Sequence, residues 1–284
     1  MVKTVGVIGA GTMGSGIAHV SALSGFDVFL YDIEESLLNN ALQRISTDLR
    51  KSFEKGKITE TQSAETGARI HPRLTMGDFS KCAIIIEAAV ELLKTKRSIF
   101  EQLDTLCSPD VLLATNTSSL SVTSIASATR YPERVLGMHF FNPPHIIKLL
   151  EIVKCRRTSD QTIERAIQFA QQLGKQPVVV KDTPGFIVNR CARPFYGEAL
   201  RLLGEGVTSI EEIDRIVKLE GGFKMGPFEL MDLIGIDVNL SVTKSMYEQT
   251  FYEPRYKPHH IQQAMVDAGH LGRKTKQGFY RYES

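Results

Sequence analysis

Residues 4–16, Thr-Val-Gly-Val-Ile-Gly-Ala-Gly-Thr-Met-Gly-Ser-Gly, constrain the fold of this chain more than any other segment. An apolar run over 5–8 reads as a buried strand. Gly9-x-Gly11-x-x-Gly14 follows at once, then an apolar helix pattern over 17–23. A second short strand pattern over 27–31 ends at Asp32. Gly9 permits a tight strand-to-helix turn, Gly11 lets the backbone approach a pyrophosphate, and Gly14 lets helix and strand pack closely. The helix N-terminus offers free N–H groups and a partial positive charge to an anion. A plain βα turn needs small residues, but not the second strand and its terminal acid. The whole pattern therefore predicts a dinucleotide site. Asp32 is suited to accept hydrogen bonds from both ribose hydroxyls of the adenosine. It is followed by Ile33, Glu34 and Glu35 with no Arg or Lys, so a 2′-phosphate would meet carboxylates only, and NAD is expected rather than NADP.

Further strand patterns over 83–86, 111–114, 135–140, 148–153 and 176–180 alternate with helical ones over 35–55, 94–106, 121–128 and 160–173. That alternation predicts a parallel, doubly wound α/β sheet of Rossmann type, with ligands at the carboxyl ends of its strands. After Asp182-Thr-Pro-Gly185 the strand signal stops. Pro184 suits the first turn of a helix through Leu203, bent at Pro194. Thr208-Ser209-x-Glu211-Glu212 resembles a capping box, and Pro227 opens a helix stopped by Gly235. Two domains are expected: residues 1–183, binding NAD, and residues 184–284, all-helical, serving substrate binding and dimerisation. Apolar faces such as Phe228/Leu230/Met231/Ile234 on so small a domain suit burial against a second copy.

A net charge of +2 over 284 residues gives no general pull toward nucleic acid or a membrane surface. No apolar run reaches spanning length, and the N-terminus enters the first strand directly, so a cytoplasmic enzyme without a signal peptide is expected. Cys82, Cys107, Cys155 and Cys191 form no C-x-x-C pair, and the seven histidines lack ligand spacing, so no metal is expected. The helix over 35–55 ends in Arg50, Lys51, Lys55 and Lys57, which fits either a solvated helix end or a phosphate-binding edge.

The segment 137–153 holds two apolar strands about Asn142-Pro143-Pro144-His145. Antiparallel pairing centred near residue 145 sets His139 opposite Glu151. A carboxylate inside Leu149-Leu-Glu-Ile-Val153 should be buried and needs a partner. The pair reads as a structural hydrogen bond or as a general base whose tautomer the acid fixes; a cofactor site in the same sheet favours the second. His145, in the turn itself, reads as a loop residue near the mouth of the site.

Taken together, these motifs resemble the L-3-hydroxyacyl-CoA dehydrogenase family, including bacterial 3-hydroxybutyryl-CoA dehydrogenases. The resemblance runs through Gly9-x-Gly-Thr-Met-Gly14, Thr115-Asn-Thr-Ser-Ser-Leu120, Gly137-Met-His-Phe-Phe-Asn-Pro143, Lys148-Leu-Leu-Glu151, Asp182-Thr-Pro-Gly-Phe-Ile-Val-Asn-Arg190, Met225-Gly-Pro-Phe-Glu-Leu230 and Gly272-Arg-Lys-Thr275. Residues 190–239 are similar to the branch acting on hydroxyadipyl-CoA in phenylacetate-type degradation. The resemblance implies that His139 takes the 3-hydroxyl proton while hydride passes to NAD, that Glu151 holds His139, and that Ser118 and Asn189 orient an acyl-CoA substrate. It aligns Thr12, Met13, Glu91, Lys96, Asn142 and Lys274 with residues near the cofactor, and Lys51 and Lys55 with residues near the CoA phosphates. It also implies a homodimer through the helical domain. Two departures stand out: His145 and Ile147 replace a common Pro and Met, and Lys276 replaces a glycine in the tail. Two other readings keep the same motifs, a non-catalytic NAD-binding sensor and a dehydrogenase of free hydroxy acids.

Overall fold

The computed structural model describes residues 4–283. The chain divides into two compact units, one up to Thr183 and one from Pro184 on. The first carries β1 (Thr4–Ile8), β2 (Asp27–Tyr31), β3 (Ile70–Arg73), β4 (Ile84–Glu87), β5 (Leu112–Thr115), β6 (Val135–Phe140), β7 (Leu149–Lys154) and β8 (Gln176–Lys181). They form one sheet in the order β3-β2-β1-β4-β5-β6-β7-β8. Its first six strands are parallel, in the order that dinucleotide-binding sheets use. Helices α1 (Thr12–Leu23), α2 (Glu35–Glu54), α3 (Glu60–Ala68), α4 (Leu93–Leu106), α5 (Val122–Ala126) and α6 (Asp160–Gln172) lie in the connections. Parallel strands need such crossovers and are covered on both faces, which is why β4 reads Ile-Ile-Ile before its terminal Glu87. β7 runs antiparallel to β6 because the chain between them is only a turn, and β8 then pairs parallel to β7.

The strand β3 and the helix α3 carry no sequence signal strong enough to predict them. Pro72 lies within β3, where a missing N–H is tolerated because β3 is the sheet edge. α3 is short and polar, held at its start by a reciprocal Thr59–Gln62 capping box.

Two carboxylates brace this unit. Asp182 accepts hydrogen bonds from the Ser121 hydroxyl (3.0 Å) and the backbone N–H groups of Val122 (3.1 Å) and Thr123 (2.7 Å), which closes the N-terminus of α5. Asp104, buried on α4, receives Arg130 and Arg134, each at 2.8 Å. Burial by itself would raise the pKa of Asp104, but hydrogen bonds and charge from the two arginines hold it below the usual carboxylate range. A depressed folded-state pKa gives stability that is complete above the unfolded value, about 4, and is lost as pH falls through the folded one. Asp104→Asn should therefore cost about 2 kcal/mol at neutral pH, by leaving Arg134 buried without its anion, while flattening the stability loss below about pH 4. Urea unfolding of both forms at neutral and acid pH checks this; parallel pH profiles would contradict it.

The second unit contains α7 (Val188–Gly204), α8 (Ile210–Leu219), α9 (Pro227–Ile234), α10 (Ile236–Gln249) and α11 (His260–Asp267). Its core joins Tyr196, Leu200, Ile213, Phe228, Met231 and Ile236. α7 begins at Val188 rather than at Pro184. Gly185 (φ 74°) and Phe186 (φ 50°) occupy left-handed conformations that no helical turn accepts, so residues 184–187 form a turn. Ser209 caps α8 by accepting from the Glu212 N–H, but the Glu212 carboxylate pairs with Arg215 rather than returning to close a box. Asp214 is buried and accepts from the N–H groups of Phe228 and Glu229 and from the Tyr280 hydroxyl, each at 2.9 Å. Gly226 is required beside it, since a Cβ there would lie 2.3 Å from the Asp214 carboxyl. Lys276 adopts φ 58°, the conformation a glycine would take at this point in the tail. Among the described residues, no helix is long and apolar enough to cross a membrane.

Candidate active site

The carboxyl ends of β1, β4, β5 and β6 share one edge of the sheet, and each carries a cluster of polar groups. At the end of β1, Gly9 has φ 98°, and a Cβ on it would lie 2.6 Å from the Ala88 carbonyl oxygen. A Cβ on Gly14 would lie 1.7 Å from the Gly9 carbonyl oxygen, so helix and turn touch there. A Cβ on Gly11 would meet nothing within 4 Å, and as N-cap of α1 it gives the helix no side-chain cap. The first N–H groups of α1 are thus left for an outside acceptor, which is what a pyrophosphate supplies. Thr12 opens α1 on this side, whereas Met13 packs against the hydrophobic core.

Asp32 lies directly beyond β2 and is tied to the glycine turn. Its Oδ2 accepts from the Ala10 N–H at 2.6 Å, and its Oδ1 from the Ile33 N–H at 2.8 Å. Each oxygen keeps a further lone pair for a ribose hydroxyl. Arg44, on α2, donates to the Ala10 carbonyl at 2.7 Å and so braces the turn from the other side. No pattern in the sequence pointed to Arg44.

Beyond β4 lies a buried ion pair. Glu87 is 0% exposed and Lys96 1% exposed, with Nζ 2.7 Å from Oε1. Glu87 also accepts from the Ala89 N–H and the Thr115 hydroxyl, both at 2.7 Å, and Lys96 donates to the Ala89 carbonyl at 3.2 Å. Lys96 thus spends its ammonium on the protein, and its link toward the surface is Glu91, 3.4 Å away. Glu91 accepts from the Thr117 hydroxyl at 2.6 Å and the Ser118 N–H at 2.9 Å. Desolvation would raise the Glu91 pKa, but Lys96 and these donors hold it low, so it stays an anion at neutral pH. Its carboxylate fixes the turn after β5 and with it the half-buried Ser118.

On β6, His139 faces Glu151 of β7 in the antiparallel register expected from the symmetric turn. The ring Nδ1 lies 2.7 Å from Glu151 Oε2, with His139 6% and Glu151 1% exposed. With Glu151 ionised, the proton of a neutral ring lies on Nδ1, and Nε2 is the basic nitrogen. Phe141 packs against the ring, its centroid 4.6 Å away. The Asn116 side-chain oxygen accepts from the Phe140 N–H at 2.9 Å and locks the end of this strand to β5.

Thr12, Asn142 and Lys51 line a cavity of about 690 Å³ together with Arg44, Asp48 and His145. Lys55 is exposed and caps the C-terminus of α2 one turn beyond Lys51. In the helical unit, Asn189 lies in the first turn of α7. It is half-buried, with Oδ1 3.4 Å from Arg193. Lys274 forms a two-oxygen ion pair with Asp237, both contacts 2.6 Å.

Residues 4–183 match the family model "3-hydroxyacyl-CoA dehydrogenase, NAD binding domain", and residues 185–282 match "3-hydroxyacyl-CoA dehydrogenase, C-terminal domain". The chain is 44% identical over 283 residues to a 3-hydroxyadipyl-CoA dehydrogenase of Escherichia coli, covering 100% of this chain but 60% of that protein. It is 42% identical to a 3-hydroxybutyryl-CoA dehydrogenase of Bradyrhizobium diazoefficiens, covering 99% and 96% of the two chains. The crystal structure of (S)-3-hydroxybutyryl-CoA dehydrogenase from Ralstonia eutropha superposes with a TM-score of 0.95 at 40% identity, covering 100% of both chains. Two matched domains in sequence, and full-length relatives well above the threshold of chance likeness, place this chain in the 3-hydroxyacyl-CoA dehydrogenase family.

Proposed function

We propose that this protein is an NAD-dependent dehydrogenase that oxidises (S)-3-hydroxyacyl-CoA to 3-oxoacyl-CoA reversibly. The observation that carries the reading is the His139–Glu151 pair, set on the same sheet edge as the open helix N-terminus at Gly11. NAD, when bound, supplies the hydride acceptor for C3 of the substrate. His139 takes the hydroxyl proton on Nε2 as the C3–H bond breaks, and returns it in the reverse direction. Glu151 holds the tautomer that leaves Nε2 basic. Ser118, whose hydroxyl lies 3.4 Å from Glu91 Oε1, is a neutral polar group that orients the substrate oxygen without competing for the proton. The role of Asn189 as a second orienting group, of Lys51 and Lys55 at the CoA phosphates, and of Asn142 and Lys274 near the cofactor rests on family resemblance.

Oxidation of NADH with acetoacetyl-CoA tests the reaction. Tight NAD binding with no turnover on any acyl-CoA would favour a sensor, and turnover of free 3-hydroxyacids alone would favour a different dehydrogenase. The E. coli relative is named for 3-hydroxyadipyl-CoA and the Bradyrhizobium one for 3-hydroxybutyryl-CoA. Both are 3-hydroxyacyl thioesters, so a panel of chain lengths with and without a terminal carboxylate defines the substrate.

Asp32→Ala should raise KM for NAD by about tenfold or more, since hydrogen bonds to a charged group are worth roughly 1.5–3 kcal/mol. Steady-state kinetics at saturating thioester checks this, and an unchanged KM would count against the ribose assignment. The dimer and the cytoplasmic setting belong to the same proposal. Ile216, Leu219 and Phe223 are exposed along and just beyond α8, as are Leu233, Ile234 and Val238, apolar surface suited to a second copy. Sedimentation equilibrium reads the mass directly.

A further inference from the structure

We propose that His19, Asp48 and His145 form a binding site for a divalent transition-metal ion of the zinc type. They come from three separate elements, α1, α2 and the turn between β6 and β7, so no spacing pattern in the sequence connects them. One ligand atom from each lies within 4.8 Å of those of the other two. The two imidazoles stack with centroids 4.7 Å apart and planes at 26°.

What sets this cluster apart is unmet bonding capacity. His19 is 2% exposed, and Nδ1 of both His19 and His145 is buried with no hydrogen-bond partner. Buried polar atoms are normally paired, and two on facing rings beside one carboxylate call for a shared acceptor of lone pairs. Burial is the main effect that lowers the pKa of both rings, against the opposing pull of the Asp48 carboxylate. Asp48 supplies the one anion.

The turn that carries His145 is built to hold position. The Lys175 ammonium donates to the carbonyls of Pro144 and Ile147, and the N–H groups of Ile146 and Ile147 donate to Pro143 at 3.0 Å. The turn also packs closely on α1, since a Cβ on Gly16 would lie 2.6 Å from Pro144. The cavity of about 690 Å³ includes all three side chains in its wall, which gives an entry path and room for a water as fourth ligand. Two nitrogens and one oxygen suit zinc, nickel, cobalt or copper, whereas calcium and magnesium prefer oxygen alone. Donors on a tetrahedral zinc lie about 3.3 Å apart, so ion binding draws the three side chains closer together than they stand here. Lys51 on the same wall, and Lys57 and Lys175 near His145, weaken the site, so micromolar rather than nanomolar affinity is expected.

The test is calorimetric titration of the chelator-treated full chain with zinc chloride at neutral pH, with cobalt chloride as a spectroscopic probe. The expected result is one ion per chain and visible cobalt bands of a nitrogen/oxygen site. Binding should weaken at least about tenfold in both His145→Ala and Asp48→Asn. His145 lies in a turn and Asp48 is half-buried, so both variants should fold, which circular dichroism confirms. Cys191, exposed on α7, is the competing donor, and Cys191→Ser should leave the titration unchanged. Absence of binding in the natural chain, binding that survives His145→Ala, or loss in Cys191→Ser would each overturn the proposal and leave the two rings as a stacked pair.

Discussion

Replacing His139 by glutamine should lower kcat with acetoacetyl-CoA by about 10³-fold, while KM for NADH stays within a few-fold of its original value. The expectation follows from one geometry. The ring Nδ1 is held 2.7 Å from a carboxylate that is 1% exposed, which assigns the proton exchange with substrate to Nε2. Positioned acid–base groups contribute typically 10²–10⁴-fold. Glutamine keeps the polarity and approximate size but has no proton to exchange at neutral pH. Glu151→Gln is the sharper companion. An amide at this position can donate to Nδ1, which drives the ring proton onto Nε2 and removes the base without removing the histidine. A loss of about 10²-fold or more in kcat is expected, again with cofactor binding retained. Stopped-flow single turnovers separate chemistry from product release. His139→Gln at near-full rate would sink the mechanism, and full activity in Glu151→Gln would reduce that residue to a structural partner.

The second large effect is on stability. Lys96→Met should destabilise the protein by about 3–5 kcal/mol, because it strands the Glu87 carboxylate at 0% exposure. Glu87 would keep donors from the Ala89 N–H and Thr115 but lose its charge partner. The double replacement Glu87→Leu with Lys96→Met should cost much less than the sum of the two single changes, since it removes both buried charges together. The same ion pair shapes the chain just after β4, whose Ala88 carbonyl abuts Gly9. Lys96→Met should therefore also weaken NAD binding, although no ligand need touch the lysine. Urea unfolding combined with NAD titration reads both effects. A cost below about 1 kcal/mol would mean that water reaches Glu87 in solution.

The parts of this protein that were legible in its sequence are those where a local backbone requirement leaves one residue type. Gly9 and Gly14 are such positions, because a Cβ on either collides with backbone. The facing of His139 and Glu151 was legible for a related reason: a short turn fixes an antiparallel register, and a lone acid in an apolar strand marks the partner. What escaped were contacts made across long stretches of chain. Glu87 ends an apolar strand and Lys96 lies on a helix, and nothing local says that both are buried. His19 sits within the apolar face of α1, where a histidine reads as a tolerated core residue until His145 is seen stacked on it. The start of α7 was misplaced because proline is a good first helical residue, and only the left-handed Phe186 rules that out. The strand β3 was lost to its proline, which an edge position excuses.

Asp182 has a bearing on how the two units can be taken apart. Its carboxylate accepts from the backbone N–H groups of Val122 and Thr123, although it lies some sixty residues later, one residue short of the unit's end. During synthesis, α5 must therefore wait for nearly the whole unit to emerge before its first turn is closed. A fragment cut before Asp182 would expose that helix end permanently, whereas one cut after Thr183 would carry its own lock. The autonomy of the nucleotide-binding half thus depends on its penultimate residue.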